Sequence, residues 1–131
     1  MTAANIEQAL AAILKADSGV SAITTRVYPN FIPQAPAYPL IVYQKITGYR
    51  DHALTGPTGK AHPRFQVEAW AETYSAAKAL ANAIRVALDG KALSSGSVVI
   101  GSSIIQSERD WYEDAAEAHR IIMDFNFWHD E

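Results

Sequence analysis

Cysteine is absent from this chain of 131 residues. No disulfide can form, no thiol can act as a nucleophile, and no thiolate can hold a metal. The absence fits a reducing compartment. Basic residues are also few: 11 Lys and Arg stand against 14 Asp and Glu, a formal net charge of −3. They are scattered, without the stripe that grips nucleic-acid phosphates, so sequence-independent DNA binding is not expected. No apolar run approaches the roughly 20 residues needed to span a bilayer. The opening MTAANIEQAL carries a glutamate and lacks the basic stretch of a signal peptide. A soluble protein that needs no membrane and stays in the compartment where it is made is the expectation.

Recognised catalytic patterns are missing as well. The glycine-rich stretch TGPTGKA puts two residues between Gly56 and Gly59, and Ala61 follows Lys60. A phosphate-binding P-loop needs four residues there and a Ser or Thr after the lysine, so a hairpin tip is the better reading. His52 and His62 flank this loop, but no carboxylate or cysteine stands at a recognised ligand spacing, and His119 and His129 add none. His129-Asp130-Glu131 reads as a frayed terminus. The carboxylates Asp51, Glu68, Glu72, Glu108, Asp110, Glu113 and Asp124 fall mostly on wet strand phases or in turns. No G-x-S-x-G elbow surrounds any serine. The expectation is a non-enzyme with no cofactor and no metal.

What is present describes a globular domain. Hydrophobic residues make up 49% and charged residues 19%, and the length suits one domain over 1–131 that buries a core without staples. Ile6, Leu10, Ile13 and Leu14 recur at helical spacing over 6–16, with Asn5 as cap and Gln8 as its reciprocal partner. Asp17-Ser18-Gly19 ends this helix and starts a short second one. Strands are expected at 40–50 and 62–71, joined by a loop over 51–61. Thr73 or Ser75 can cap a helix over 74–89, with Ala77, Leu80, Ala81, Ile84 and Leu88 as its apolar stripe and Gly90 as its stop. A polar loop at 91–97 precedes strands at about 98–112 and 118–129, joined by the acidic turn 113–117. The order predicts an α+β, two-layer fold: a mostly antiparallel sheet of about four to five strands with helices on one face.

Two features suggest a surface for a partner. Pro29, Pro33, Pro36 and Pro39 make 29–39 extended and irregular. It reads either as a plain connector or as an arm that lies on a neighbouring subunit through Phe31, Ile32 and Tyr38. In the last strand Ile121, Met123, Phe125 and Phe127 form one face, while Ile122 and Trp128 sit among polar residues on the other. Trp70 has the same outward phase in its own strand. Exposed aromatics amid polar residues suit a protein interface. The alternative is that these tryptophans lie under the proline-rich segment or cover a sheet edge.

An ordered set of segments carries a resemblance across nearly the whole chain: IEQALAAILKAD, RVYP, PLIVYQ, the glycine loop, FQVEAWAETYSAAKALANAIRVALDG and ERDWYEDAAEAHRIIMDFNFWH. Together they resemble the tail completion, or tail terminator, proteins of long-tailed bacteriophages. The resemblance implies a virion protein, assembled in the host cytoplasm, that caps the head-proximal end of the tail tube as a homohexameric ring. Its implied partners are further copies of itself, the major tail tube protein and a head–tail connector. No catalytic group is carried over. On this reading Asp51, His52, Thr55, Gly56, Thr58, Gly59 and Lys60 form a loop facing the lumen or the tube end. Phe31, Ile32, Tyr38, Trp70, Ile122 and Trp128 form the lateral surface. Another neck or connector component, a prophage-derived tail-like particle component, or a non-enzymatic binding module are the alternatives.

Overall fold

The computed structural model describes residues 3–131. Helix α1 (Ile6–Ala16) starts where the sequence predicts. Asn5 Oδ1 accepts from the Gln8 amide at 2.8 Å, and Gln8 Oε1 accepts from the Ala4 amide at 2.8 Å. This pair satisfies one amide that the first helical turn leaves without a partner, that of Gln8, and ties down the amide of Ala4 just before the cap. Asp17 ends α1 and caps the short α2 (Ser18–Ser21), accepting from the Val20 amide. Strands β1 (Val27–Pro29), β2 (Leu40–Thr47), β3 (Arg50–Ala53), β4 (Gly56–Ala61) and β5 (Arg64–Ala71) follow. Helix α3 (Tyr74–Leu88) is capped by Thr73. Gly90 follows it at φ +70° and donates its amide to Ser103 O at 2.7 Å. That backbone geometry favours a residue without Cβ. Strands β6 (Leu93–Ser95), β7 (Val98–Glu113) and β8 (Ala118–Asp130) complete the chain.

Among the described residues, eight strands share one sheet. The expectation of four to five strands is therefore corrected, while the α+β class and the mostly antiparallel pairing stand. Three short or glycine-rich segments account for the difference. Val27–Pro29 pairs parallel with β2, Leu93–Ser95 pairs with β7 inside the expected polar loop, and the expected loop at 51–61 is itself the β3–β4 hairpin. Strand β4 prolongs β5 along β8: Arg64 faces Asn126, and Ala61 faces His129 in unbroken register. Pro63, which has no amide to donate, marks the join, and its carbonyl accepts from the Phe127 amide at 3.0 Å.

Helices α1 and α3 cover one face. Beneath them lie Phe65, Val67 and Ala69 of β5, Ile121, Met123, Phe125 and Phe127 of β8, and Leu10, Leu14, Leu80, Ile84 and Leu88 of the helices, all fully buried. Each such large apolar side chain contributes roughly 1.5–3 kcal/mol. The alternation predicted for β8 is the one observed.

Candidate interaction surface

The opposite face of the sheet is read off the strand register. One row runs Leu40, Trp70, Arg120 and Trp111 across β2, β5, β8 and β7. The next runs Val42, Glu68, Ile122 and Arg109, and a third Gln44, Gln66, Asp124 and Ser107. Beyond these, Arg64 faces Asn126, Asn126 faces Ile104, and Trp128 faces Ser102.

This face has two halves. In the first, Leu40, Val42, Trp70 and Ala118 form a second small core, with Tyr28, Ile32 and Tyr38 packed against it. The proline-rich segment is thus a roof over its own subunit. Trp70 is 5% exposed and Ile122 3%. Their outward strand phase matches the expectation, but both are buried within the chain, Trp70 in the small core that the roof closes, so neither stands on the exposed surface expected of it. Ile32 and Tyr38 are half-buried in the same roof. Beneath it, Arg120 stacks on the Trp70 indole and pairs with Glu68 at 2.7 Å. Burial pushes the Glu68 carboxyl up, and the Arg120 charge and hydrogen bond offset this only in part.

The second half is bare. Tyr49 and His62 stack with ring centres 5.5 Å apart and planes 12° apart, and His62 lies 6.5 Å and 19° from Trp128. Asp51 Oδ1 is 3.5 Å from His62 Nδ1. Trp128 is 39% exposed and Tyr49 58%, and exposed Ile104 and Val99 stand nearby on β7. Shallow hollows of ≈ 330 and ≈ 280 Å³ flank Trp128, one toward Asp51, Lys60 and Val99, the other toward Thr47, Tyr49, His62 and Arg64. Aromatic rings that are partly wet and already stacked suit a protein contact, because little side-chain freedom remains to be lost. Of the six lateral candidates, Trp128 lies in this strip. Phe31 is 63% exposed but sits apart, on the roof segment.

The seven residues expected in a lumen or tube-end loop do come together, as an ordered arm. Asp51 and His52 lie on exposed β3, Thr55 and Gly56 at the tip, and Thr58, Gly59 and Lys60 on β4. Thr58 Oγ1 donates to Asp51 O at 3.1 Å. The arm is fastened to the chain terminus: Arg50 Nε and Nη2 contact the Glu131 carboxylate at 2.7 and 3.1 Å, Lys60 Nζ contacts Asp130 at 2.6 Å, and the Glu131 amide donates to Gly59 O. His129-Asp130-Glu131 is therefore a clamp and not a frayed end. His52 Nδ1 lies 3.2 Å from Arg50 O, while the His62 ring stacks between Tyr49 and Trp128.

Sequence reasoning did not single out Tyr49, Ile104, Leu54 at the arm tip, or Trp111 and Tyr112 near the β7–β8 turn, all of them exposed. The TGYRDH and ERDWYED segments held the signal, as aromatics among charged and turn-forming residues. Among the described residues, no three His, Asp or Glu side chains converge as a metal-binding group.

Residues 8–130 match the family described as tail completion protein gp17. The chain belongs to that family. It is accordingly a structural component of a phage tail. A chain of the solved virion of a native gene transfer agent particle has a similar fold, with TM-score 0.79 and 22% identity over 96% of this chain and 95% of that one. No curated protein matches. The tail completion fold here thus presents a sheet face that is half roofed and half bare, with a clamped β-arm at the bare end.

Proposed function

We propose that this tail completion protein closes the head-proximal end of the phage tail tube as a homohexameric ring. It stops addition of the tube protein and offers the opposite rim to the head–tail connector. The observation that carries this reading is the bare Tyr49–His62–Trp128 strip, an aromatic surface that the roof segment leaves uncovered while it covers Trp70. Family membership supports the setting, and the gene transfer agent particle supports a fold of the kind found in a virion. The arm over 51–60 faces the lumen or the tube end on this reading. The net charge of −3 suits a channel through which a polyanion slides.

The test is to add the purified protein to growing tubes of the cognate tail tube protein. Tubes should stop lengthening, with added density at one end by electron microscopy, and light scattering should detect a sixfold species on the ends or at high concentration. Tubes that lengthen at the unperturbed rate in its presence exclude the reading.

A further inference from the structure

Helix α3 separates two surfaces that complement each other. At its N-terminal end stands the tip of the β7–β8 hairpin, held there by Tyr74 Oη and Lys78 Nζ, both donating to Asp110, and by Tyr74 packed edge-on to His119. This tip presents exposed Trp111, Tyr112 and Ala115 with Asp114 and Glu117, while exposed Glu72 precedes α3 and exposed Glu108 lies farther back on β7, opposite Met123. None of those four carboxylates forms an ion pair among the described residues. Arg109 is the one cation of this region that also lacks an ion pair among them, and it lies on the outer sheet face opposite Ile122.

At the C-terminal end of α3 a groove of ≈ 310 Å³ opens between α1, α3 and β6. Its floor is apolar, from Ala12, Ile13, Ala16, Ala87 and Leu93. Lys15, Arg85 and Lys91 stand in or just beyond the last turns of the two helices, exposed and without ion pairs among the described residues. Cations also complement the negative ends of both helix dipoles. Asp17 lines the groove beside Lys91, and Asp89 follows α3, but each carboxylate accepts a backbone amide, from Val20 and Ile105 respectively.

We infer that the groove between the C-terminal ends of α1 and α3 receives the β7–β8 hairpin tip of a second copy of this chain. The two surfaces lie about 22 Å apart along a helix of 15 residues, so one chain cannot satisfy both. A tip-in-groove contact is heterologous, and each bound copy presents a fresh tip and a fresh groove. Such contacts either close into a ring or run on as a filament. The charges set the register and direction, while Trp111, Tyr112 and Ala115 supply the apolar fill. The inference rests on the proposed ring and specifies its lateral contact.

The natural chain has no cysteine, which makes cross-linking clean. Ala115→Cys in one preparation and Ala16→Cys in another, treated with a short bismaleimide, should link when mixed and not when alone. A chain with both changes should give a ladder. A charge swap supplies the second measurement: Asp114→Lys with Glu117→Lys, and separately Lys15→Glu with Lys91→Glu. Each pair should lower self-association at least tenfold in low salt, and mixing the two should restore it, because every reversed tip then meets a reversed groove. All these positions are exposed, so thermal melting should match the natural chain. Absence of the mixed cross-link, or no rescue by mixing, overturns the contact. A closed sixfold species without the tip–groove link overturns the contact and leaves the ring reading intact. Open ladders that never close sustain the contact and overturn the ring.

Discussion

The Arg120 guanidinium carbon lies over the Trp70 indole, 5.2 Å from the ring centre, where its charge meets the ring face. This pair joins the sheet to the roof segment, because Trp70 also touches the cluster to which Ile32 and Tyr38 belong. Removing the indole leaves a hole under the roof and unseats Arg120. Trp70→Ala should therefore cost about 3–5 kcal/mol of folding stability, read from urea unfolding. Self-association per folded molecule should hold, since Trp70 is buried within its own chain. A variant with native stability and lost association would place Trp70 on an interface after all.

Glu68 makes the same region sensitive to pH. Its carboxyl is raised above the ordinary 4.5, chiefly by burial, against the pull of Arg120. The folded chain thus holds this proton more tightly than the unfolded one. The Glu68 contribution to stability is fully present below the ordinary value and is lost as pH rises through the raised one. Relative to Glu68→Gln, the natural chain should lose stability with rising pH in a window just above about pH 4.5, then run parallel toward neutrality. Urea unfolding of both chains across that range measures the difference. A flat difference would show that Arg120 cancels the burial effect.

Local signals account for what was legible. The Asn5–Gln8 cap, the stripe from Ala77 to Leu88 and the alternation from Ile121 to Phe127 each sit within a few residues, and each appears as read. The strand phase of Trp70 was also legible; its cover was not. Whether Ile32 and Tyr38 fold back onto Trp70 or reach to a neighbour depends on the path of a proline-rich segment whose backbone carries little local preference for either. The β3–β4 arm was hidden for a related reason. GPTGK has poor strand propensity, and it becomes a strand through pairing that propensity does not report: Gly56 and Pro57 with β3, and Lys60 at the far end with Asp130 of β8, a tertiary contact. Val27–Pro29 is too short for any period to show.

The arm clamp leads to a prediction about local motion. Arg50 and Lys60 hold Glu131 and Asp130 in exposed pairs, and exposed pairs contribute little to global stability. Glu131→Gln with Asp130→Asn should leave the melting midpoint unchanged. Amide exchange across 51–60 should quicken, because the arm loses the contacts that fasten its edge. The Glu131 carboxyl is held below its ordinary range, first by the Arg50 hydrogen bond. Its contribution is therefore present above the ordinary value, 4.5, and is lost as pH falls through the lowered one. In the natural chain, arm exchange corrected for intrinsic rates should quicken on that acid side. Exchange that is equal in both chains would assign the arm's order to its own backbone pairing.

Trp128 separates stability from assembly. It is 39% exposed and ends the stack that begins at Tyr49. Its removal uncovers one side of His62 but leaves the core beneath β8 intact, because Phe127 and His129 hold the opposite phase. Trp128→Ala should lower folding stability by about 1 kcal/mol, near the ordinary cost of a point change. If the strip meets a neighbouring copy or the tube end, the same change should weaken that contact by more than about 2 kcal/mol, the scale of a central aromatic anchor. Trp128→Phe, which keeps an aromatic ring at the position, should restore most of the loss. Sedimentation across a concentration series reads self-association, and the tube-lengthening assay reads end capping. A Trp128→Ala chain that assembles and caps like the natural one would remove the strip from the contact and leave the tip and groove as the surface to test.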